Sequence, residues 1–192
     1  MKWKSTPGYF HPDKASIVEG LINDTVTAET NCIEIGVLCG KSLMHLVEHS
    51  NPNHVYAIDP FEGQQTQELT LDGILMVEVD FSKTYDYDKV CNKFKEYENV
   101  TIIKGFSPMY DLDLPDIGFA FIDGDHSKES VSKDAEWIYS KMSKGLIVFD
   151  DYALEGVADA VEEFAQKYQL EVHKSNPPSV QTTIAWIFIE KT

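Results

Sequence analysis

Two stretches of this 192-residue chain concentrate the residue types that can do chemistry, FAFIDGDHSKES from Phe119 and GLIVFDDY from Gly145. Each is an apolar run that ends in carboxylates, at Asp123 in the first and at Asp150 and Asp151 in the second. If the two runs are neighbouring strands of a parallel sheet, their ends share one rim and three carboxylates converge there. Such a cluster repels itself unless a cation or bound protons neutralise it, and all-oxygen ligation suits Mg²⁺ or Ca²⁺ rather than zinc. No cysteine or histidine spacing around it points to a zinc site. His126 follows Asp123 by three residues. Imidazole titrates near neutral pH and makes a suitable general base, so beside these carboxylates it reads as a catalytic residue rather than a helix-start cap. Asp125 reads as a turn cap.

A second stretch, IEIGVLCGKS over residues 33–42, has the outline of a phosphate-binding loop. That loop needs four residues between its first glycine and the Gly-Lys pair, so that successive N–H groups wrap a phosphate. Gly36 and Gly40 enclose three, and Glu34 sets a carboxylate beside the supposed anion. A dinucleotide-binding GxGxxG fails as well, because Leu38 and Lys41 stand where glycine is wanted. The arrangement suits a cationic or neutral ligand. Asp59, in YAIDPF, closes the next apolar run. A carboxylate there can accept two hydrogen bonds from the vicinal diol of a ribose, and its alternative is a cap for the turn through Pro60.

The elements that must position these residues follow from periodicity. Seven apolar runs, at 32–37, 54–59, 100–105, 118–123, 145–150, 170–174 and 182–190, read as strands. Between them KSLMHLVEH, YDKVCNKFKEY, KESVSKDAEWIYSKM and LEGVADAVEEFAQKY carry apolar residues at helical spacing. Repeated strand and helix predicts a doubly wound α/β fold, a Rossmann-like seven-stranded sheet with helices on both faces. SNPPSVQ is too short for a helical crossover, so the last strand is expected to run antiparallel. A helix is expected over Asp13–Ile22. The stretch 61–81 lacks clean periodicity and reads as a long functional loop or lid. One domain over residues 1–192 is expected, with 1–30 as a helical extension and 31–192 as the core. Thirty-two acidic against sixteen basic residues give a formal charge of -16, which disfavours nucleic acid and anionic membranes as partners. No apolar run approaches a membrane span or a signal peptide, and the expectation is a cytoplasmic protein. Cys32, Cys39 and Cys91 read as reduced packing residues. No feature specifies an oligomeric state.

With these residues in view, the chain resembles the class I S-adenosylmethionine-dependent methyltransferases, in particular the metal-dependent O-methyltransferases that act on catechols and on macrolide sugars. The resemblance runs from about residue 30 to the C-terminus. It implies that Glu34, Gly36 and Gly40 form the cofactor loop, that Ser42 meets the methionine carboxylate, that Asp59 holds the ribose and that Ser107, in IIKGFSPM, contacts adenine. Cys39 also matches a cysteine of that family. DGDH followed by FDDY places Asp123, Asp150 and Asp151 at the metal positions, with Mg²⁺ as the implied ion. Catechol enzymes usually have Asn where Asp151 stands and a lysine base where His126 stands. The implied substrate is a small hydroxylated molecule, a catechol or sugar-like diol, with Trp3, Tyr9, Phe10 and the 61–81 stretch as candidate walls of its pocket. Two other readings stay open: a nucleotide hydrolase using GVLCGKS and LIVFDD, and a non-catalytic cofactor-binding domain.

Overall fold

The computed structural model describes residues 1–8, 10–62, 66–71, 74–80, 85–175 and 183–191, with the backbone alone for 66–71 and 74–80. A turn of 3-10 helix, Lys2–Ser5, leads to helix α1 (Pro12–Thr25), which starts with proline in its first turn and a His11 ring that accepts from the Asp13 N–H. The main body then alternates: β1 (Asn31–Ile35), α2 (Lys41–His49), β2 (His54–Asp59), α3 (Tyr87–Phe94), β5 (Val100–Lys104), β6 (Phe119–Ile122), α4 (Lys128–Ser140), β7 (Lys144–Phe149), α5 (Glu155–Tyr168), β8 (His173–Lys174) and β9 (Ala185–Glu190). Between β2 and α3 lie β3 (Thr66–Leu71) and β4 (Ile74–Asp80). No helix among the described residues is long and apolar enough to cross a membrane.

The main sheet has seven strands in the order β5-β2-β1-β6-β7-β9-β8. The five strands from β5 to β7 are parallel, and β9 runs antiparallel to both β7 and β8. This is the doubly wound sheet that the alternation predicts. Its parallel strands are buried on both sides, so their side chains sort by parity. Phe119 and Phe121 join Leu146, Val148 and Val55 in a cluster with α1, α2 and α3, while Ala120 and Ile122 join Ile33, Ile147 and Phe149 against α4 and α5. Each fully buried Ile or Phe contributes about 1.5–3 kcal/mol through removal from water, so these two layers hold the strand ends rigidly.

The strand order reverses between β1 and β6, because the chain winds outward from β1 in one direction and returns beside it to wind in the other. At such a point the connections leave in opposite directions and a crevice opens outside the carboxyl ends. Ile35 pairs with Ile58 on one side and Ile122 on the other, and Ile122 pairs with Phe149. The residues that follow these partners, Asp59, Gly36, Asp123 and Asp150, therefore form a row across the rim.

The stretch 61–81 differs from its expectation. Instead of an irregular loop it contributes β3 and β4, an antiparallel pair outside the main sheet. The pairing shifts register between Leu69 and Thr70. A bulge of this kind exchanges the two faces partway along a strand, which removes the alternation that would have marked it.

The spacing of the rim depends on close approach below it. A methyl group on Gly145 of β7 would lie 2.3 Å from the Gly118 carbonyl oxygen, with no flexible side chain to yield. Gly145→Ala is expected to lower stability by about 1–3 kcal/mol through overpacking at the β6–β7 contact, read as a fall in calorimetric Tm. An unchanged Tm would show that these strands tolerate separation.

Candidate active site

The loop 36–40 leaves β1 through backbone that only its sequence permits. Gly36 has φ +89°, and a Cβ on it would stand 1.9 Å from the Asp123 carbonyl oxygen. Its N–H donates to the Ile58 carbonyl at 2.9 Å, so the loop is stitched to β2 on one side while it abuts the end of β6 on the other. Gly40 (φ +77°) begins α2, its missing side chain giving room to the Phe94 ring. Lys41 points away from the loop, its Nζ donating to the Gly8 carbonyl at 3.0 Å.

Asp59 shapes this loop. Its Oδ2 accepts from the N–H groups of Val37 and Leu38 at 2.8 and 2.9 Å. Its Oδ1 accepts from the Phe61 N–H at 2.7 Å and from the Tyr85 hydroxyl at 2.9 Å. The residue expected to hold a ribose is thus the anchor of the 36–40 loop, and Tyr85 is a partner that sequence reading did not find. Glu34, 1% exposed, lies behind the loop and accepts from the Ser42 hydroxyl at 2.7 Å. Burial drives its carboxyl well above the usual range, with Asp123 and Asp59 adding to the effect and Ser42 opposing it. Ser42, expected to meet a methionine carboxylate, is at the start of α2 with its hydroxyl directed to Glu34. Ser107 lies half-buried beside Asp134 of α4, whose carboxyl burial pushes up to about 6, with Ser107 opposing the rise.

Across the rim the three aspartates do converge, but not around an open centre. Lys14 of α1 reaches in from the far end of the chain. Its Nζ is 2.5 Å from Asp150 Oδ1 and 3.2 Å from Asp151 Oδ1, and it is 5% exposed. Burial works against its charge, yet Asp150, Asp151 and Asp123 together outweigh that and hold the ammonium above its ordinary range. Burial and then Asp123 push the Asp150 carboxyl upward while Lys14 pulls it back. Asp151 has φ +50°, a left-handed conformation that costs energy for a side chain with a Cβ and is found where surrounding structure enforces it. The signal that could have revealed Lys14 is its place on the apolar stripe of α1, with Ala15, Val18 and Ile22 buried on the same face. A lysine on such a stripe requires a buried anion.

His126 faces the other side of the cluster. Its Nε2 lies 3.7 Å from Asp123 Oδ1 and 3.6 Å from Asp151 Oδ2, buried and without a hydrogen-bond partner. The adjoining Asp123 raises its pKa, against the lowering effect of burial and with further support from Asp151 and Asp150. Asp125 caps the turn as expected, accepting from the Ser127 N–H at 2.6 Å. The donor atoms of Asp123, His126 and Asp151 lie within 4.8 Å of one another. The Asp123 and Asp151 carboxylates are the oxygen donors that a divalent cation could take there, leaving the imidazole nitrogen between them to act as a base, whereas Asp150 is engaged by Lys14. Of the expected acceptor walls, Trp3 and Phe10 are buried packing residues, their rings 6.2 Å apart and both set edge-on to His45. Tyr9 lies outside the described residues.

A family model described as a methyltransferase domain matches residues 33–152, well over half of the chain. An uncharacterised protein of Acanthamoeba polyphaga mimivirus is 29% identical over 145 residues, 71% of this chain and 58% of its own length. Among solved structures, an O-methyltransferase from Bacillus cereus in complex with SAH superposes with TM-score 0.67 at 14% identity, over 97% of this chain and 86% of that one. An rRNA methylase from Streptococcus thermophilus superposes with TM-score 0.60 at 14% identity, over 96% and 99%. At these identities the structures establish a shared fold.

The Lys14 pair gives a direct test. Lys14→Met leaves Asp150 buried without its counter-charge, which is expected to cost about 3–5 kcal/mol at neutral pH. The folded-state pKa of Asp150 lies above its unfolded value, so the folded form binds that proton more tightly and the loss should shrink as pH falls through the carboxylate range. Urea unfolding at neutral and acidic pH measures both; equal losses at the two pH values would remove Asp150 as the source.

Proposed function

We propose, on the premise that this chain belongs to the methyltransferase-domain family and is an S-adenosylmethionine-dependent methyltransferase, that its acceptor is a hydroxyl on a small diol-bearing molecule such as a catechol or a sugar. The observation that carries this reading is the meeting of His126 with Asp123 and Asp151 beside the Gly36 loop, at the crevice where the strand order reverses.

Methyl transfer to oxygen asks three things of the protein: a deprotonated hydroxyl, alignment with the sulfonium methyl, and exclusion of water. The neutral imidazole of His126 accepts the hydroxyl proton at Nε2, and Asp123 and Asp151 stabilise the imidazolium that results. S-adenosylmethionine, when bound, would supply the electrophilic methyl, the oxygen–carbon bond forming as the carbon–sulfur bond breaks and its electron pair passes to sulfur. No covalent intermediate with the protein is involved. The loop from Gly36 to Gly40, with Asp59 and Ser107, would hold the nucleoside, and the start of α2 near Ser42 would face the methionine carboxylate, where a helix N-terminus favours negative charge. Glu34, buried behind the loop, supports it through Ser42. Asp123 and Asp151, with Asp150 where Lys14 withdraws, would hold a Mg²⁺-type ion, which when bound supplies acidification of the acceptor hydroxyl.

The formal charge of -16 favours a small acceptor over RNA, whose backbone it repels. The nucleotide-hydrolase reading is weakened by the short loop and by Lys41, which reaches Gly8 rather than a phosphate site.

Labelled S-adenosylmethionine offered with catechols, glycosides and structured RNA, with Mg²⁺ and with chelator, tests the class. Transfer to a diol that chelation abolishes and Mg²⁺ restores is the expected result; transfer to RNA alone would sink the small-acceptor reading. His126→Ala should slow single-turnover transfer by roughly 10²–10⁴-fold, the range for a general base, with cofactor affinity retained. Asp59→Ala should weaken the cofactor by about 1.5–3 kcal/mol, the worth of a hydrogen bond to a charged group, measured by calorimetry.

A further inference from the structure

On the face of the sheet that carries α1 and α2, away from the aspartate rim, two histidines one helical turn apart meet a glutamate. His45 and His49 project from the same side of α2, their rings 4.4 Å apart and inclined by 34°. Glu19 of α1 faces both: its Oε1 lies 3.2 Å from His49 Nδ1 and its Oε2 lies 3.9 Å from His45 Nε2. His45 is wholly buried, and among the described residues neither of its ring nitrogens has a hydrogen-bond partner. His49 Nε2 is likewise buried and partnerless.

Packing alone does not account for this. A buried polar atom left unsatisfied costs about 1–3 kcal/mol, and a leucine would fill the space under Trp3 and Phe10 without that cost. The ordinary explanation, an ion pair of Glu19 with a protonated His49, uses one ring and leaves His45 unexplained. Burial, assisted by His49, lowers the His45 pKa to about 4, so at neutral pH the ring is uncharged and one of its nitrogens offers a lone pair, the form in which imidazole ligates a metal.

We propose that Glu19, His45 and His49 form a cation site, distinct from the aspartate rim, that takes a transition-metal ion of the zinc class and fastens α1 to α2. Donors that each stand about 2.0–2.2 Å from one ion cannot be more than roughly 4.2 Å apart; the two carboxylate–imidazole separations meet this, and the donor atoms of all three side chains lie within 4.8 Å of one another, so a small closing of the side chains completes the set. Two imidazoles and one carboxylate select zinc, cobalt, nickel or copper over magnesium and calcium, the reverse of the aspartate-rich rim. The site is structural in character: Trp3 sits edge-on against both histidine rings, and Glu19, 41% exposed, leaves its solvent side for a water ligand. Because α1 also carries Lys14, an ion here would fix the helix that delivers the ammonium to Asp150.

The test uses the full chain carrying His126→Gln and Asp151→Asn, which removes the competing donors at the rim. Cobalt titration followed by visible absorption, and zinc affinity by competition with a chromophoric chelator, are expected to show one equivalent bound and a raised thermal midpoint. His49→Gln and Glu19→Gln, at partly accessible positions, should each weaken zinc by more than about 100-fold, beyond the cost of losing an outer hydrogen-bond partner of a ligand. They keep the test decisive if His45→Gln fails to fold. Absence of binding, or one equivalent that survives both substitutions, would overturn the proposal, as would magnesium binding at this site as tightly as zinc.

Discussion

Carboxylates gathered at the ends of buried parallel strands pose the electrostatic problem around which this molecule is organised. Asp59, Asp123 and Asp150 stand in one row with Gly36, and Glu34 lies two residues behind it. At such spacings like charges in a low-dielectric setting repel by several kcal/mol, and each is desolvated as well. Every member finds a different relief. Asp59 takes the N–H groups of the loop and the Tyr85 hydroxyl, Asp150 takes Lys14, Asp123 faces His126, and burial favours the protonated form of Glu34. The loop conformation, the seat of α1 and the orientation of the imidazole are consequences of these pairings.

The strands were legible because this sheet is covered on both faces. Continuous apolar runs ending in aspartate, as in FAFID and LIVFD, mark both the strand and the rim in a few letters. The helices were legible for the complementary reason: α2, α4 and α5 each keep a clean apolar stripe, and their limits agree with the periodic stretches within a few residues. The pair β3–β4 escaped because its bulge destroys the period on which strand reading rests.

The site was legible where chemistry sits next to its element in sequence and illegible where it arrives from a distance. Asp123 and His126 are three residues apart and their meeting could be read off. Lys14 is separated from Asp150 by more than a hundred residues, and only tertiary structure brings them together. Yet Lys14, His45 and Asp134 share a local mark: each is a polar residue on the buried face of its helix. A titratable group that breaks an apolar stripe is in want of a partner, and the partner's identity is what sequence alone withholds.

The buried contact of Lys14 with Asp150 makes the N-terminal helix an internal ligand of the rim. An ammonium tethered through α1 is present at a high local concentration and competes with any cation in solution for the same oxygens. Competition of this kind is reciprocal. Were a divalent ion to bind at Asp150, whatever strengthens the docking of α1 would weaken its capture by the same factor, and the ion would loosen the helix to an equal degree. Helix α1, which lies outside the sheet, thereby carries a positive charge that partly offsets the carboxylates of the rim.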